Sequence, residues 1–149
     1  KRVQRPGVGD QEVLVIDLGM NTLDVYVLGP GGEVIDAFVG GADVGVVRLL
    51  RIMANNGRDV MEIDSDLRSG RIKPTTSQLQ AYLGNVLSQL TEELGVKNLR
   101  RFNKVILCGG GVLVLGDLLQ FALVKKGADV FMPEHPIETN CAGFWKRLL

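Results

Sequence analysis

Apolar positions along the 149-residue chain change their spacing several times, and each change predicts an element. Val13 to Asp17 is an unbroken apolar run ending on an acid, the pattern of a buried strand. Leu23 to Leu28 predicts a second strand and Glu33 to Val39 a third. The "GPGG" at 29–32 between them reads as a tight hairpin turn, because glycine supplies positive φ and proline cannot pair. Gly40 and Gly41 end this run of strands, and Asp43 stands where it can cap a helix through about Asn55. Residues 59–70 predict a short second helix closed by Gly70. The clearest helix lies in "TTSQLQAYLGNVLSQLTEELG". There Leu79, Tyr82, Leu83, Val86, Leu87, Leu90 and Leu94 recur at three- and four-residue intervals, with Thr76 or Ser77 as cap and Gly95 as stop. Lys104 to Cys108 predicts a strand, 112–126 a helix, 128–132 a strand, and a last helix starts at Glu138.

The resulting order is βββαβαβα. Three antiparallel strands followed by alternating α and β is the ribonuclease-H-like arrangement, an α/β fold with a mixed five-stranded sheet flanked by helices. That topology serves nucleases, sugar kinases, chaperone ATPases and actins, so the fold alone does not choose an activity.

Composition narrows the field by exclusion. Acids and bases balance at 17 each, which leaves no electrostatic footprint for direct nucleic-acid binding or for an anionic membrane. The longest apolar runs are too short to span a bilayer, and "KRVQRPGVGD" has basic residues with no apolar stretch of a secretory leader behind them. Two cysteines, Cys108 and Cys141, make neither a disulfide framework nor a metal spacing, and no carboxylates cluster near the single histidine, His135. These features read as a soluble, cytoplasmic protein. The chain starts without methionine and ends on the amphipathic "GFWKRLL", which reads as a piece of something longer, with 1–12 a polar lead-in.

Two turns carry candidate chemistry. In "VLVIDLGMNTLDVYVL", Asp17 ends the first strand at the carboxyl edge of the sheet, where ligands of open α/β folds bind. Gly19 permits close approach, backbone amides from 19 to 22 can face an anion, and Thr22 adds a hydroxyl donor. Asp17 is suited to holding a hydrated Mg²⁺ ion or orienting a water. The plain alternative is a hairpin whose turn carries Asp and Asn because turns favour them. In "CGGGVLVLG", Gly109, Gly110 and Gly111 precede a helix without the lysine of a P-loop. They suit either a flat ring packing on bare backbone at a helix N-terminus or a strand–helix crossing too close for side chains. In "ETNCAGF", Thr139 or Asn140 is most simply a helix cap. Phe144 and Trp145 read as packing residues, and "KNLRR" at 97–101 as a solvated face.

Taken together, "VLVIDLGMNTLDVYVL", "VILCGGGVLVLGDLL" and "DVFMPEHPIETNCAGF" follow the order and spacing of an actin-like ATPase. From about Val13 to Phe144 the chain resembles the second half of the actin, chaperone and hexokinase superfamily, with the nearest likeness to plasmid-segregation actins of the ParM/StbA type. The resemblance implies that 13–149 form a C-terminal lobe with a helical insertion at about 56–75, facing an N-terminal lobe that carries the first phosphate loop. It implies that Asp17 to Asp24 is the second phosphate-binding loop, with Asp17 serving the metal-bound or attacking water and Gly19, Met20, Asn21 and Thr22 on the phosphates. Gly109, Gly110 and Gly111 would pack against ribose and purine, and Asn140 and Gly143 would form a hinge to the other lobe. The implied cofactors are ATP or GTP with Mg²⁺. The implied partners are the protein's own N-terminal lobe, further copies of itself in a filament, and a DNA-binding adaptor protein. Two positions depart from the pattern: Met20 stands where many relatives have a second glycine, and Asp64 stands where many carry a basic purine-side residue, a role left to Arg68 or absent.

Three functions follow for test. The first is a nucleotide-driven filament protein, an ATP or GTP hydrolase when complete and inactive as this piece alone. The second is an actin-fold scaffold that binds nucleotide without efficient turnover. The third is a nuclease of the ribonuclease-H fold, disfavoured because "KVILCGGG" brings no second acid to Asp17.

Overall fold

A computed structural model of the chain describes residues 12–35, 40–54, 57–95 and 102–138. Strand β1 (Val13–Leu18) lies at the centre of a five-stranded sheet ordered β3-β2-β1-β4-β5. Its antiparallel neighbour is β2 (Leu23–Leu28), which in turn pairs antiparallel with β3 (Gly40–Ala42). On the other side β1 runs parallel to β4 (Lys104–Cys108), and β4 parallel to β5 (Asp129–Phe131). The expected mixed sheet is present. A strand buried on both faces reads as a continuous apolar run, which accounts for "VLVI" at the centre. β2 instead alternates: Leu23, Val25 and Val27 are buried and Asp24 is exposed.

Among the described residues four helices accompany the sheet: α1 (Val46–Met53), α2 (Val60–Arg68), α3 (Thr76–Leu94) and α4 (Val112–Lys125). On α3 the buried residues Tyr82, Val86, Leu90 and Leu94 recur every fourth position, so one stripe meets the sheet. They join Leu49 of α1, Leu115, Leu119 and Leu123 of α4, and Leu14, Ile16 and Leu18 of β1 in one core. Val13 and Val15, on the opposite pleat of β1, are also buried but lie outside that cluster. A smaller cluster of Val46, Leu50 and Ile63 ties α1 to α2.

Three boundaries differ from those expected. Strand three was expected over 33–39. Val34 makes only an isolated bridge to Leu28, residues 36–39 lie outside the described segments, and the pairing strand is Gly40–Ala42. The two glycines expected to end the sheet therefore belong to it. Helix α1 is capped not by Asp43 but by Gly45, with no side-chain cap bond. Its first N–H groups are satisfied by the turn after β1, a tertiary contact that local sequence does not announce. Helix α3 starts one residue early: Thr75 is the cap, its Oγ1 accepting from Gln78 N at 3.2 Å while Gln78 Oε1 accepts from Thr75 N at 2.9 Å. The expected stops hold, with Gly95 and Gly70 at φ 72° and 74°. The last helix expected from Glu138, with Asn140, Cys141, Gly143, Phe144 and Trp145, and the 97–101 run lie outside the described residues apart from Glu138 itself. No described helix is long and apolar enough to cross a membrane.

Candidate functional site

The turn after β1 is held from behind. Gly45 N donates to Asn21 O at 3.1 Å, Val46 N to Gly19 O at 3.1 Å, and Val47 N to Met20 O at 2.9 Å. Three consecutive carbonyls thus point at the start of α1. In a planar trans peptide the N–H lies opposite the C=O, so the amides of Met20, Asn21 and Thr22 point the other way. None of these three N–H groups has a hydrogen-bond partner among the described residues. A run of amides facing one direction is an anion-binding concavity, and the dipole of α1 behind it reinforces the positive potential. Gly45 is what lets the helix come this close: a Cβ there would fall on the Met20 and Asn21 backbone.

The glycine triplet after β4 is built differently. Gly109, at φ 91°, sits where a Cβ would strike Asp17 Oδ1 and Leu18 O. Its N–H donates to Pro136 O at 2.9 Å. Gly111 donates to Leu18 O at 2.7 Å and leaves no room for a Cβ beside the Leu18 side chain. For these two the close-crossing explanation is sufficient. Gly110 alone is open, its nearest neighbour to an added Cβ being Ile137 Cγ1 at 4.0 Å.

Between the two turns lies a cavity of about 620 Å³. Met20 borders it from the first turn, Gly110 and Gly111 from the second. Its far wall comes from α2 and the link to α3, through Asp64, Arg68, Lys73 and Pro74, and Leu113 and Ile137 stand at its rim, both largely exposed. Arg68 Nε donates to Asp64 Oδ2 at 2.8 Å, so the two charged residues of α2 on this wall are paired with each other. No local motif marks Lys73. It sits between elements, and only the packing of α2 against α1 brings it to the glycine turns. On the other flank of α2, Arg58 and Arg71 both bind Asp66, at 2.6 and 2.7 Å, and hold its carboxyl below the usual range. That cluster lies outside the cavity.

Asp17 does not line the cavity. It stands at the adjacent edge, on the pleat opposite Ile16 and Leu18, opposite Asp24 on β2 and Cys108 on β4. Burial, and then the Asp17 charge, pushes the Cys108 thiol up to about 12. Burial, and then Cys108 and Asp17, pushes Tyr26 up to about 12. Tyr82, raised by burial, donates its hydroxyl to Val44 O at 3.3 Å. The structure thus gathers Asp17, Gly19 to Thr22 and Gly109 to Gly111 on one edge of the sheet, at the carboxyl ends of β1 and β4. Asn140 and Gly143 lie outside the described residues.

The donor set fits a nucleotide better than a metal cluster. Outward amides suit phosphate oxygens, and an apolar-rimmed cavity floored by bare glycine backbone suits a flat base. Among the described residues no three His, Cys, Asp or Glu side chains form a group that could hold a metal ion. One or two carboxylates with bound phosphates and water are the usual surroundings of Mg²⁺, and Asp17 supplies one.

No protein-family model and no curated protein matches the chain. Solved structures do. The archaeal actin homologue Ta0583 superposes with a TM-score of 0.73 at 17% identity, over 95% of this chain and 50% of that one. The chain has the actin-like fold. A ParM filament from Clostridium botulinum matches with a TM-score of 0.69 at 16% identity, over 94% of this chain and 46% of that one. The PilM of a PilM–PilN type IV pilus biogenesis complex matches with a TM-score of 0.65 at 20% identity, over 88% and 38%. Ta0583 has also been solved in complex with ADP. The chain spans about half the length of the actin-like proteins it matches, or less.

Proposed function

We propose that this chain is the C-terminal lobe, residues 13–149, of a two-lobe actin-like protein that binds ATP or GTP between its lobes and hydrolyses it. The observation that carries this is the row of three outward amides at Met20, Asn21 and Thr22, without a partner among the described residues, beside the glycine-floored cavity. In this reading phosphates lie on those amides and the base lies over Gly110, with Lys73 and Arg68 on its far side. Asp17 accepts hydrogen bonds from a water and orients it at the phosphate end. Mg²⁺, when bound, supplies charge neutralisation on the phosphates. Catalysis of this kind is positioning and electrostatics, and both need the second lobe to close the site. The exposed Leu113 and Ile137 at the rim suit contact with that lobe, and Asn140 and Gly143 serve as the hinge toward it. The likeness to a ParM filament supports self-assembly, with plasmid or other DNA segregation through an adaptor protein as the cytoplasmic task.

A second reading, a scaffold that holds nucleotide without efficient turnover, is favoured by Met20 at the phosphate turn and by the likeness to PilM. Phosphate release and pelleting of the complete protein, with ATP and with GTP, separate the two. Nucleotide-dependent sedimentation with steady phosphate release supports the filament ATPase. Tight binding with no release leaves the scaffold, and no binding of either nucleotide removes both.

A further inference from the structure

The Thr22 hydroxyl does not behave as the simple phosphate donor its position in the turn suggests. Thr22 Oγ1 donates to Asp24 Oδ2 at 2.8 Å. A carboxylate offers no proton in return, so the single hydroxyl proton of Thr22 is committed and only its lone pairs remain for a ligand. Asp24 in turn is accommodated for this task. It stands directly opposite Asp17 in the β1–β2 register, and directly opposed residues of antiparallel strands share a face. Its other oxygen, Oδ1, lies across Gly41, where an added Cβ would come within 2.7 Å of it. A side chain at 41 would displace the carboxylate, which gives a physical reason for glycine in β3. Asp17 and Thr22 Oγ1, the latter held by Asp24, present oxygen acceptors beyond the outward amides.

We propose that Asp24 is a positioning residue that fixes Thr22 as an acceptor, so that Thr22 serves the hydrated divalent cation of the nucleotide rather than a phosphate oxygen. This rests on the nucleotide-binding reading above. It divides the turn by polarity: backbone amides of 20–22 for the phosphates, side-chain oxygens for the cation and its water. A hard, oxygen-seeking ion such as Mg²⁺ keeps most of its water and needs acceptors of this kind.

The test uses the complete protein and measures equilibrium nucleotide binding, with and without Mg²⁺, rather than turnover. For Asp24→Ala the Mg²⁺ concentration for half-maximal tightening of nucleotide binding is expected to rise about tenfold, as expected for a lost second contact around a metal. Nucleotide affinity in the presence of a chelator should stay within about twofold, since the amides that hold the phosphates are untouched. Asp24→Asn keeps an acceptor for the Thr22 proton and is expected to recover most of the loss. Thr22→Val should match Asp24→Ala, and the double variant should be no worse than either single one, because the two act as a unit. Additive losses would overturn the proposal, as would weaker chelator-phase binding in Thr22→Val, which would make Thr22 a phosphate donor. Unchanged Mg²⁺ dependence in Asp24→Ala sinks the proposal alone. Failure of the unmodified protein to bind nucleotide at all sinks the parent reading and the proposal together. Gly41→Ala, which presses on Asp24 while leaving every polar group in place, gives an independent check and should shift the Mg²⁺ requirement in the same direction.

Discussion

The turns after β1 and β4 lie one strand apart on the same edge of the sheet, and their glycines serve different ends. In the first turn the backbone is turned around: its carbonyls face α1 and its amides face outward. In the second, Gly109 and Gly111 are consumed by packing on Asp17 and Leu18, and only Gly110 is left to a ligand. Similar composition therefore conceals one turn whose amides face outward and another organised mainly for the close approach of α4 to β1. The residue that organises the first turn, Gly45, is not in it.

That comparison is most easily broken at Gly45. An alanine there would press a methyl group into the Met20 and Asn21 backbone, which cannot yield as a side-chain tip would. Gly45→Ala is expected to cost about 3 kcal/mol or more, by overpacking against main chain, and to abolish nucleotide binding in the complete protein. Chemical denaturation and a binding titration check both effects. A stable variant with normal binding would mean that the α1 start does not hold the turn.

Next in size is a contrast within the triplet. Gly109→Ala combines a left-handed backbone with a collision against Asp17 and Leu18, and is expected to destabilise by about 2–4 kcal/mol. Gly110→Ala meets open space and should change stability by less than about 0.5 kcal/mol, while weakening nucleotide binding through the methyl group on the cavity floor. Equal thermal shifts in the two variants would erase the distinction between the packing glycines and the exposed one.

How much of this was legible in the sequence depends on where the controlling contact lies. Strand β1 and helix α3 are governed by their own residues: an unbroken apolar run at the sheet centre, and a four-residue stripe from Tyr82 to Leu94 closed by Gly95. Both were readable to within a residue or two. The place of Gly40–Ala42 in the sheet is not readable locally because two glycines carry no side-chain pattern, and Asp24, from another strand, determines what fits beside them. The cap of α1 was missed for the same reason, since its partners are carbonyls some 25 residues upstream. At the site, Asp17, Gly19 and the triplet could be picked out by type and position, but the direction of the amides and the arrival of Lys73 depend on packing. The commitment of the Thr22 proton to Asp24 is a side-chain contact that residue type alone does not reveal.

Below both turns, the pleat bearing Cys108 and Tyr26 offers a pH handle. Both groups keep their protons in the folded chain to about 12, against ordinary values of 9.0 and 10.0. The unfolded chain releases these protons first, so the stability present below about pH 9 falls as pH rises toward the folded values. For the buried thiol the slope is at most about 1.4 kcal/mol per pH unit, with a smaller addition from half-buried Tyr26 above pH 10. Urea melts from pH 7 to 11 should show this fall, and Cys108→Ala should flatten its first part. A flat profile in the unmodified chain would mean that the thiol is not shielded where β1 and β4 meet Gly109.

The smallest effect tests whether glycine matters at these turns through geometry rather than as a residue type. Gly84 lies inside α3 on its exposed side, and a Cβ there would meet nothing within 4 Å. Alanine at that position removes backbone freedom from the unfolded chain and improves helix propensity with no new contact. Gly84→Ala is therefore expected to stabilise the chain by about 0.5–1 kcal/mol, opposite in sign to Gly45→Ala and Gly109→Ala, with nucleotide binding unchanged. The change is the same in all three cases, one methyl group for one hydrogen, so any difference must come from the surroundings. A destabilised Gly84→Ala variant would show that α3 meets a neighbour at that face, and the steric argument for the two turns would lose its control.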